Sequence, residues 1–335
     1  MTVLSEIELY PLLFEPIYME IMWGGNLLSE HLGRKLPERP GPIAESWEIV
    51  DREDAESIVE NGPLAGTSIR TLLDNFGTSV AGELYSPGTR FPLLVKLIDA
   101  GKRLSLQVHP DEESCRELEG AEPKTEMWYV LAAEPHAKII AGLTPCCTTY
   151  KFSECVGTDK IEECLQVFPS VPGDAFFIKA GTVHAIGAGN LLLEIQQNSN
   201  TTYRISDWGR VGLDGKPREL HIEQALQCIN FSDRTSPRIA GASDTAAHNR
   251  KFPIVNMCPH FQVDELRLVG QWVDATQGTT LHLITAVTTP VTVVGKGGSL
   301  VVDRGRTCLI PANYGNYHIG IGDAEETTVI KTTLK

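Results

Sequence analysis

The chain has 335 residues, enough for two domains or for one with a large insertion, and its 29 basic against 43 acidic residues give a net charge of −14. A surface this acidic repels nucleic acid and anionic lipid, so neither is an expected partner. With 42% apolar and 21% charged residues, 30 glycines and 20 prolines, the composition is that of a turn-rich globular chain, not a disordered one. The first 33 residues hold no Lys or Arg but carry Glu6, Glu8, Glu15, Glu20 and Glu30, the opposite of the basic start of a signal peptide. Apolar runs such as 91–95 are cut by Lys96, well short of the roughly 18 residues of a membrane span. A soluble, cytoplasmic protein is expected, with its eight scattered cysteines, none in a CxxC pair, as reduced thiols.

In chain order, short apolar or alternating runs at 91–97, 127–131, 138–143, 191–197 and 281–287, punctuated by Gly and Pro, read as antiparallel strands. Helical periodicity is confined to 69–76, a short stretch opening at Pro110, 161–168, and 220–229, where Ile222, Ala225, Leu226 and Ile229 share a face. These are helices accessory to a mainly β fold. From Arg234 to Asn249 the residues turn small and polar, with little to bury, and the linker is placed there.

The chemistry gathers in the first part. Gln107 and His109 stand at i and i+2, which on a strand point to one side. Further on comes Gly173-Asp-Ala-Phe-Phe-Ile-Lys-Ala-Gly181-Thr-Val-His184, whose glycines permit tight turns before the histidine. Together these resemble the two motifs of the cupin superfamily, with Gln107 for the first histidine, Lys179 for the usual proline and Ala188 for the usual asparagine; Glu126 is the candidate for the displaced glutamate. Leu106-Gln-Val-His-Pro-Asp-Glu-Glu113, Lys124-Thr-Glu-Met-Trp128, Gly181-Thr-Val-His-Ala-Ile-Gly187 and Asn200-Thr-Thr-Tyr-Arg-Ile-Ser-Asp207, four motifs in register, resemble the compact bacterial form of the type I mannose-6-phosphate isomerase family. Pro16 to Gly25 with Trp23, and Ala44-Glu-Ser-Trp-Glu48, extend the likeness.

The resemblance implies two cupin-type jelly-roll β domains with a few accessory helices: residues 1–235 as a catalytic metal-binding domain, 236–249 as linker, and 250–335 as a degenerate cupin without metal. It implies one zinc ion per chain on Gln107, His109, Glu126 and His184. One carboxylate and three neutral ligands would leave the ion a net charge of about +1, as a Lewis acid requires, although two histidines and a carboxylate equally suit Fe(II). Gln107 either ligates the ion or hydrogen bonds behind a ligand.

The implied reaction interconverts D-mannose 6-phosphate and D-fructose 6-phosphate through an enediolate, which needs a base and a stabiliser of negative charge. Glu194, on the apolar run 191–195, is the candidate base because burial would raise its pKa. Lys124 and Arg204 match catalytic positions of the family; Arg204, always protonated, suits anion stabilisation or substrate orientation, not proton abstraction. Lys96, Ser105 and Arg210 match phosphate-proximal positions, though each taken alone is also an ordinary surface residue. The expected partner is a small sugar phosphate, and the sequence names no protein partner. Two other readings keep the fold: a noncatalytic sugar-binding cupin, which the presence of Lys124, Glu194 and Arg204 disfavours, and an Fe(II)-dependent cupin dioxygenase.

The second motif recurs at Gly305-Arg-Thr-Cys-Leu-Ile-Pro311-Ala312-Asn313-Tyr-Gly-Asn316, with Asn316 where the histidine belongs. The run 293–302 has no His-x-His, so this copy reads as having lost its metal, and His282 and His318 as ordinary surface or loop residues.

Overall fold

A computed structural model describes residues 7–212, 215–241 and 247–335. It is mainly β, built from antiparallel sheets with a few short helices, in keeping with a cupin-like fold. Contacts gather the chain into two compact units, one of residues 1–17, 47–95 and 243–335, the other of 18–46 and 96–242. The sequence reading draws one linear boundary at 236–249; the contacts instead group residues 47–95 with the C-terminal segment, because sheets recruit strands by pairing and not by adjacency. Residues 242–246 of the expected linker lie outside the described residues, and Arg238–Ile239 of it is a strand paired with Ala175–Phe176.

In the 96–242 unit a smaller sheet takes the order Tyr203–Ser206, Leu106–Val108, His184–Ile186, Lys138–Leu143, Leu165–Pro169. Part of a larger sheet runs Arg238–Ile239, Ala175–Ile178, Glu126–Ala133, Asn190–Gln197. Strand alternation sorts the small sheet's residues. Leu106, Val108, Val183, Ala185 and Ile140 turn outward into a core closed by Phe152, Ile161, Ala225 and Cys228. Gln107 and His184, between them in sequence, therefore turn the other way, while Ile139, Ala141 and Ile186 pack with Trp128, Phe176 and Ile178 of the larger sheet.

The strand runs read from sequence are present, as Leu93–Ala100, Glu126–Ala133, Lys138–Leu143, Asn190–Gln197 and His282–Ala286. Helices form at Ile69–Phe76, where Ser68 Oγ accepts from the Thr71 amide as an N-cap, and at Ile222–Cys228. The stretch after Pro110 is a single 3₁₀ turn, Ser114–Arg116, tied by the Asp111 carboxylate. The expected helix at 161–168 is corrected: a 3₁₀ segment ends at Cys164, and Leu165–Pro169 is an edge strand against Lys138–Leu143. Its Leu-Gln-Val-Phe run satisfies a two-residue period as well as a helical one, and the free edge of the sheet decides between them. A helix missed in the sequence, Thr149–Cys155, is capped by Thr148 and buries Phe152.

The other unit has a six-stranded sheet in the order Leu12–Leu13, Thr307–Ile310, His282–Ala286, Thr327–Leu334, Phe261–Leu268, Arg250–Val255, and a four-stranded sheet in the order Trp272–Ala275, Asn316–Gly320, Val291–Gly295, Gly298–Val302. Leu266, Ile284, Val293, Cys308, Ile319 and Val329 belong to its core. No helix among the described residues is long and apolar enough to cross a membrane.

Candidate metal centre and active site

Three chain segments deliver nitrogen and oxygen donors to one point. His184 opens its strand directly opposite Gln107, Glu126 opens an inner strand of the larger sheet, and His109 follows the Leu106–Val108 strand. The ligand atoms of His109, Glu126 and His184 lie within 4.8 Å of one another, all buried. His109 Nδ1–H donates to the Thr201 carbonyl and His184 Nδ1–H to the Thr182 carbonyl, each at 2.8 Å, which fixes both tautomers and leaves both Nε2 lone pairs facing the cluster. Those nitrogens stand 3.4 and 3.5 Å from the two Glu126 oxygens. Gln107 turns its amide toward the same point, Nε2 donating to His184 Nε2 at 3.2 Å and Oε1 accepting from Ser105 Oγ at 3.1 Å. Exchanging the amide's O and N, which have the same shape, would aim the oxygen inward and let Nε2 donate to Ser105.

The electrostatics suit a cation. Burial drives the His109 pKa down to about 3 and that of His184 below its ordinary value, so both rings are neutral, the state in which imidazole ligates. Burial alone would raise Glu126, but the Lys124 ammonium, 2.9 Å away, holds its carboxyl well below the usual range. Apart from the Lys124 ammonium, the Glu126 oxygens face only the two imidazoles, with no donor in hydrogen-bond geometry, which leaves the carboxylate able to take a metal ion. The donor set of two imidazoles, a carboxylate and an amide fits a divalent ion such as zinc.

Glu194 lies beside this centre. Its Oε2 accepts the Trp128 indole N–H at 2.7 Å, and its Oε1 is 3.1 Å from Lys96 Nζ and 4.0 Å from Lys124 Nζ. Burial, then the Glu126 charge, raises its pKa. Lys96 stays protonated despite burial because Glu194 and Glu45, whose Oε2 is 3.3 Å away, flank it.

Comparison with known proteins fits this arrangement. Residues 12–150 match the family model "Phosphomannose isomerase type I, catalytic domain". A probable mannose-6-phosphate isomerase of Bacillus subtilis is 30% identical over 311 residues, covering 92% of this chain and 96% of the relative. The chain belongs to the type I phosphomannose isomerase family. A second Bacillus subtilis relative, a mannose-6-phosphate isomerase, is 38% identical over 221 residues, 65% of this chain and 68% of the relative. The crystal structure of a mannose 6-phosphate isomerase from the same organism superposes with a TM-score of 0.83 at 27% identity, covering 97% of this chain and 99% of that one. The chain is thus an enzyme of an isomerase family.

Eight of the ten site residues expected for a phosphomannose isomerase form one contact network: Gln107, His109, Glu126, His184, Lys124, Glu194 and Lys96, with Ser105 joined through Gln107. Lys124 precedes the strand that begins at Glu126, yet its Nζ lies 3.1 Å from His109 Nε2. Arg204 pairs opposite Gln107 on the neighbouring strand, donates from Nη1 to the Glu219 carbonyl, and keeps a buried Nε with no acceptor. Arg210 is elsewhere engaged, donating to Asp207 and to the Arg103 carbonyl, and makes no contact with Lys96 or Ser105. Two residues not assigned from sequence, Glu45 and Trp128, complete the network; both lie inside motifs of the family resemblance, which was the available signal.

Proposed function

We propose that the chain interconverts D-mannose 6-phosphate and D-fructose 6-phosphate, with one zinc ion per chain held by Gln107, His109, Glu126 and His184. The observation that carries this reading is the buried His109, Glu126, His184 cluster with Glu194 beside it. An ion held by these four residues would supply Lewis-acid stabilisation of the negative charge that develops as the proton is moved. Glu194 is the residue we assign to carry the proton between C2 and C1. Burial favours its protonated form enough for return of the proton, and the Trp128 N–H and the Lys96 ammonium favour the carboxylate enough for abstraction. Lys124 offers an ammonium at the same carboxylates, suited to a proton held near the reacting oxygens. Arg204 orients the anionic substrate through its unsatisfied guanidinium edge.

For the phosphate, Ser105, Arg210 and Lys96 are assigned on the family resemblance. The place of Lys96 between Glu45 and Glu194 supports a charge-balancing role as well. Isomerisation of mannose 6-phosphate by the purified protein, measured before chelation, after it and with zinc restored, tests the reading. Activity lost to chelator and regained with zinc is expected; no activity in any state, with zinc bound, would refute it.

A further inference from the structure

Residues 272–334 reproduce the frame of the candidate metal centre strand for strand. In chain order, 106–108, 126–133, 138–143, 165–169, 175–178, 184–186 and 190–197 correspond to 272–275, 282–286, 291–295, 298–302, 307–310, 316–320 and 327–334. The pairing agrees: 175–178, 126–133 and 190–197 are consecutive in one sheet as 307–310, 282–286 and 327–334 are in the other, and the small-sheet orders match likewise.

Register then fixes equivalent residues. Glu126 opens its strand opposite Ile178, the last residue of the adjacent strand; His282 opens its strand opposite Ile310, likewise the last. Glu194, fifth in its strand, faces the third residue of the central strand, Trp128; Lys331, also fifth, faces the third residue, Ile284. Gln107 faces His184 as Asp274 faces Tyr317. The sequence motif sets Asn316 against His184, but Asn316 is exposed, whereas Tyr317 is buried and ends the pairing with Val291–Gly295 as His184 ends its own with Lys138–Leu143, which moves the equivalence to Tyr317. His282, expected as a surface or loop residue, is instead buried and 2.7 Å from the Tyr317 hydroxyl through Nδ1.

At these four positions stand Asp274, His282, Tyr317 and Lys331, all polar; the strand beside Lys331 adds buried Asp264, which pairs opposite it and is bridged by Lys251 at 2.9 Å. The Lys331 ammonium lies 2.5 Å from Asp274 Oδ2, which also accepts the Trp272 indole N–H at 3.3 Å, while Oδ1 takes the Ala275 amide at 2.8 Å. The Lys331 and Asp274 side chains are only 10% and 19% exposed. A carboxylate so buried requires a positive charge, and here the fifth-position residue that supplies a carboxylate at the candidate metal centre supplies the cation itself. We infer that this segment retains the frame of a divalent-cation site in which the Lys331 ammonium stands in for the ion, so that removing the ammonium opens the place to a metal that accepts imidazole, phenolate and carboxylate oxygen, such as Zn(II) or Co(II).

The test uses the full chain stripped of metal and titrated with Co(II), followed by absorption and by bound-metal analysis, for the unchanged protein, for Lys331→Met and for Lys331→Met with His282→Ala. Lys331→Met takes up about one equivalent more than the unchanged chain, its melting midpoint rises by roughly 5–10 °C with excess metal, and the added His282→Ala abolishes both gains. Because the readout is a difference from the unchanged chain, it stands whether or not the catalytic centre is assigned correctly. Equal uptake by folded Lys331→Met and unchanged protein overturns the inference. Where Lys331→Met folds only with metal supplied, that recovery supports it; failure of metal to recover the fold overturns it, whether or not Asp274→Asn with Lys331→Met folds.

Discussion

Trp128→Phe removes the indole N–H that reaches Glu194 Oε2 at 2.7 Å while keeping an aromatic ring in the core. A hydrogen bond to a buried charged group contributes about 1.5–3 kcal/mol, and 1.36 kcal/mol corresponds to one pKa unit, so loss of this donor raises the Glu194 pKa by about 1–2 units. The sign follows from which form the bond favours: the N–H stabilises the carboxylate, and its loss favours the acid. The base is then protonated over a wider range, and the acid limb of the kcat/KM profile moves to higher pH by the same amount, with activity recovering above it. The smaller ring costs about 1–2 kcal/mol of packing, a melting decrease of a few degrees, small enough for the variant to stay folded in the assay. The pH profile of isomerisation and a thermal melt are the two measurements. An acid limb that does not move, in a variant whose melt shows the expected small decrease, would refute Glu194 as the proton carrier.

His184→Ala removes one of the three clustered ligands, so bound metal and activity fall together; full metal stoichiometry in the variant would sink the ligand assignment. Lys96→Met separates its two possible roles: an acid limb displaced upward marks charge balance at Glu194, whereas an unmoved limb with a raised KM marks phosphate binding. His282 contributes a pH dependence of stability. Burial lowers its folded pKa to about 4 against about 6.5 unfolded, so between these values the unfolded chain binds a proton the folded one refuses. Stability therefore drops by about 3 kcal/mol as the pH falls from about 6.5 to about 4 and this contribution is flat below; across that range the stability of the unchanged protein should fall by about this amount relative to His282→Gln, and a difference that stays constant with pH would refute the assignment.

What the sequence reveals of the centre is local. Gln107 and His109 are two apart, and each is separated from its neighbours by residues such as Val108 that demand burial on the opposite face, so alternation alone aims them together. Glu194 is legible because a lone carboxylate in an apolar run has few inexpensive destinations. The Lys96 to Glu45 contact joins residues 51 apart through folding of distant strands, and no periodicity encodes it. Arg210 shows the converse limit: its motif position is clear, but the guanidinium is consumed by Asp207 one turn back. The one-residue displacement that puts Tyr317 in place of Asn316 is likewise invisible, since a motif counts residues along the chain and a sheet counts pairs across it. The segment at 165–169 fits two periods, and only the strand beside it selects one.

The acceptors that orient His109 and His184 are main-chain carbonyls, of Thr201 and Thr182. Every amino acid supplies the same carbonyl, so the aim of each imidazole is written in the path of the chain and not in the identity of a supporting side chain. A saturation library at position 182 should accordingly return many sequences that hold their ligand geometry, with losses concentrated in substitutions that bend the Gly181 turn, whose φ is +84°. The centre is in this sense tolerant of drift in its surroundings while remaining intolerant at its donors, an asymmetry that a design borrowing this frame would inherit without having to engineer it.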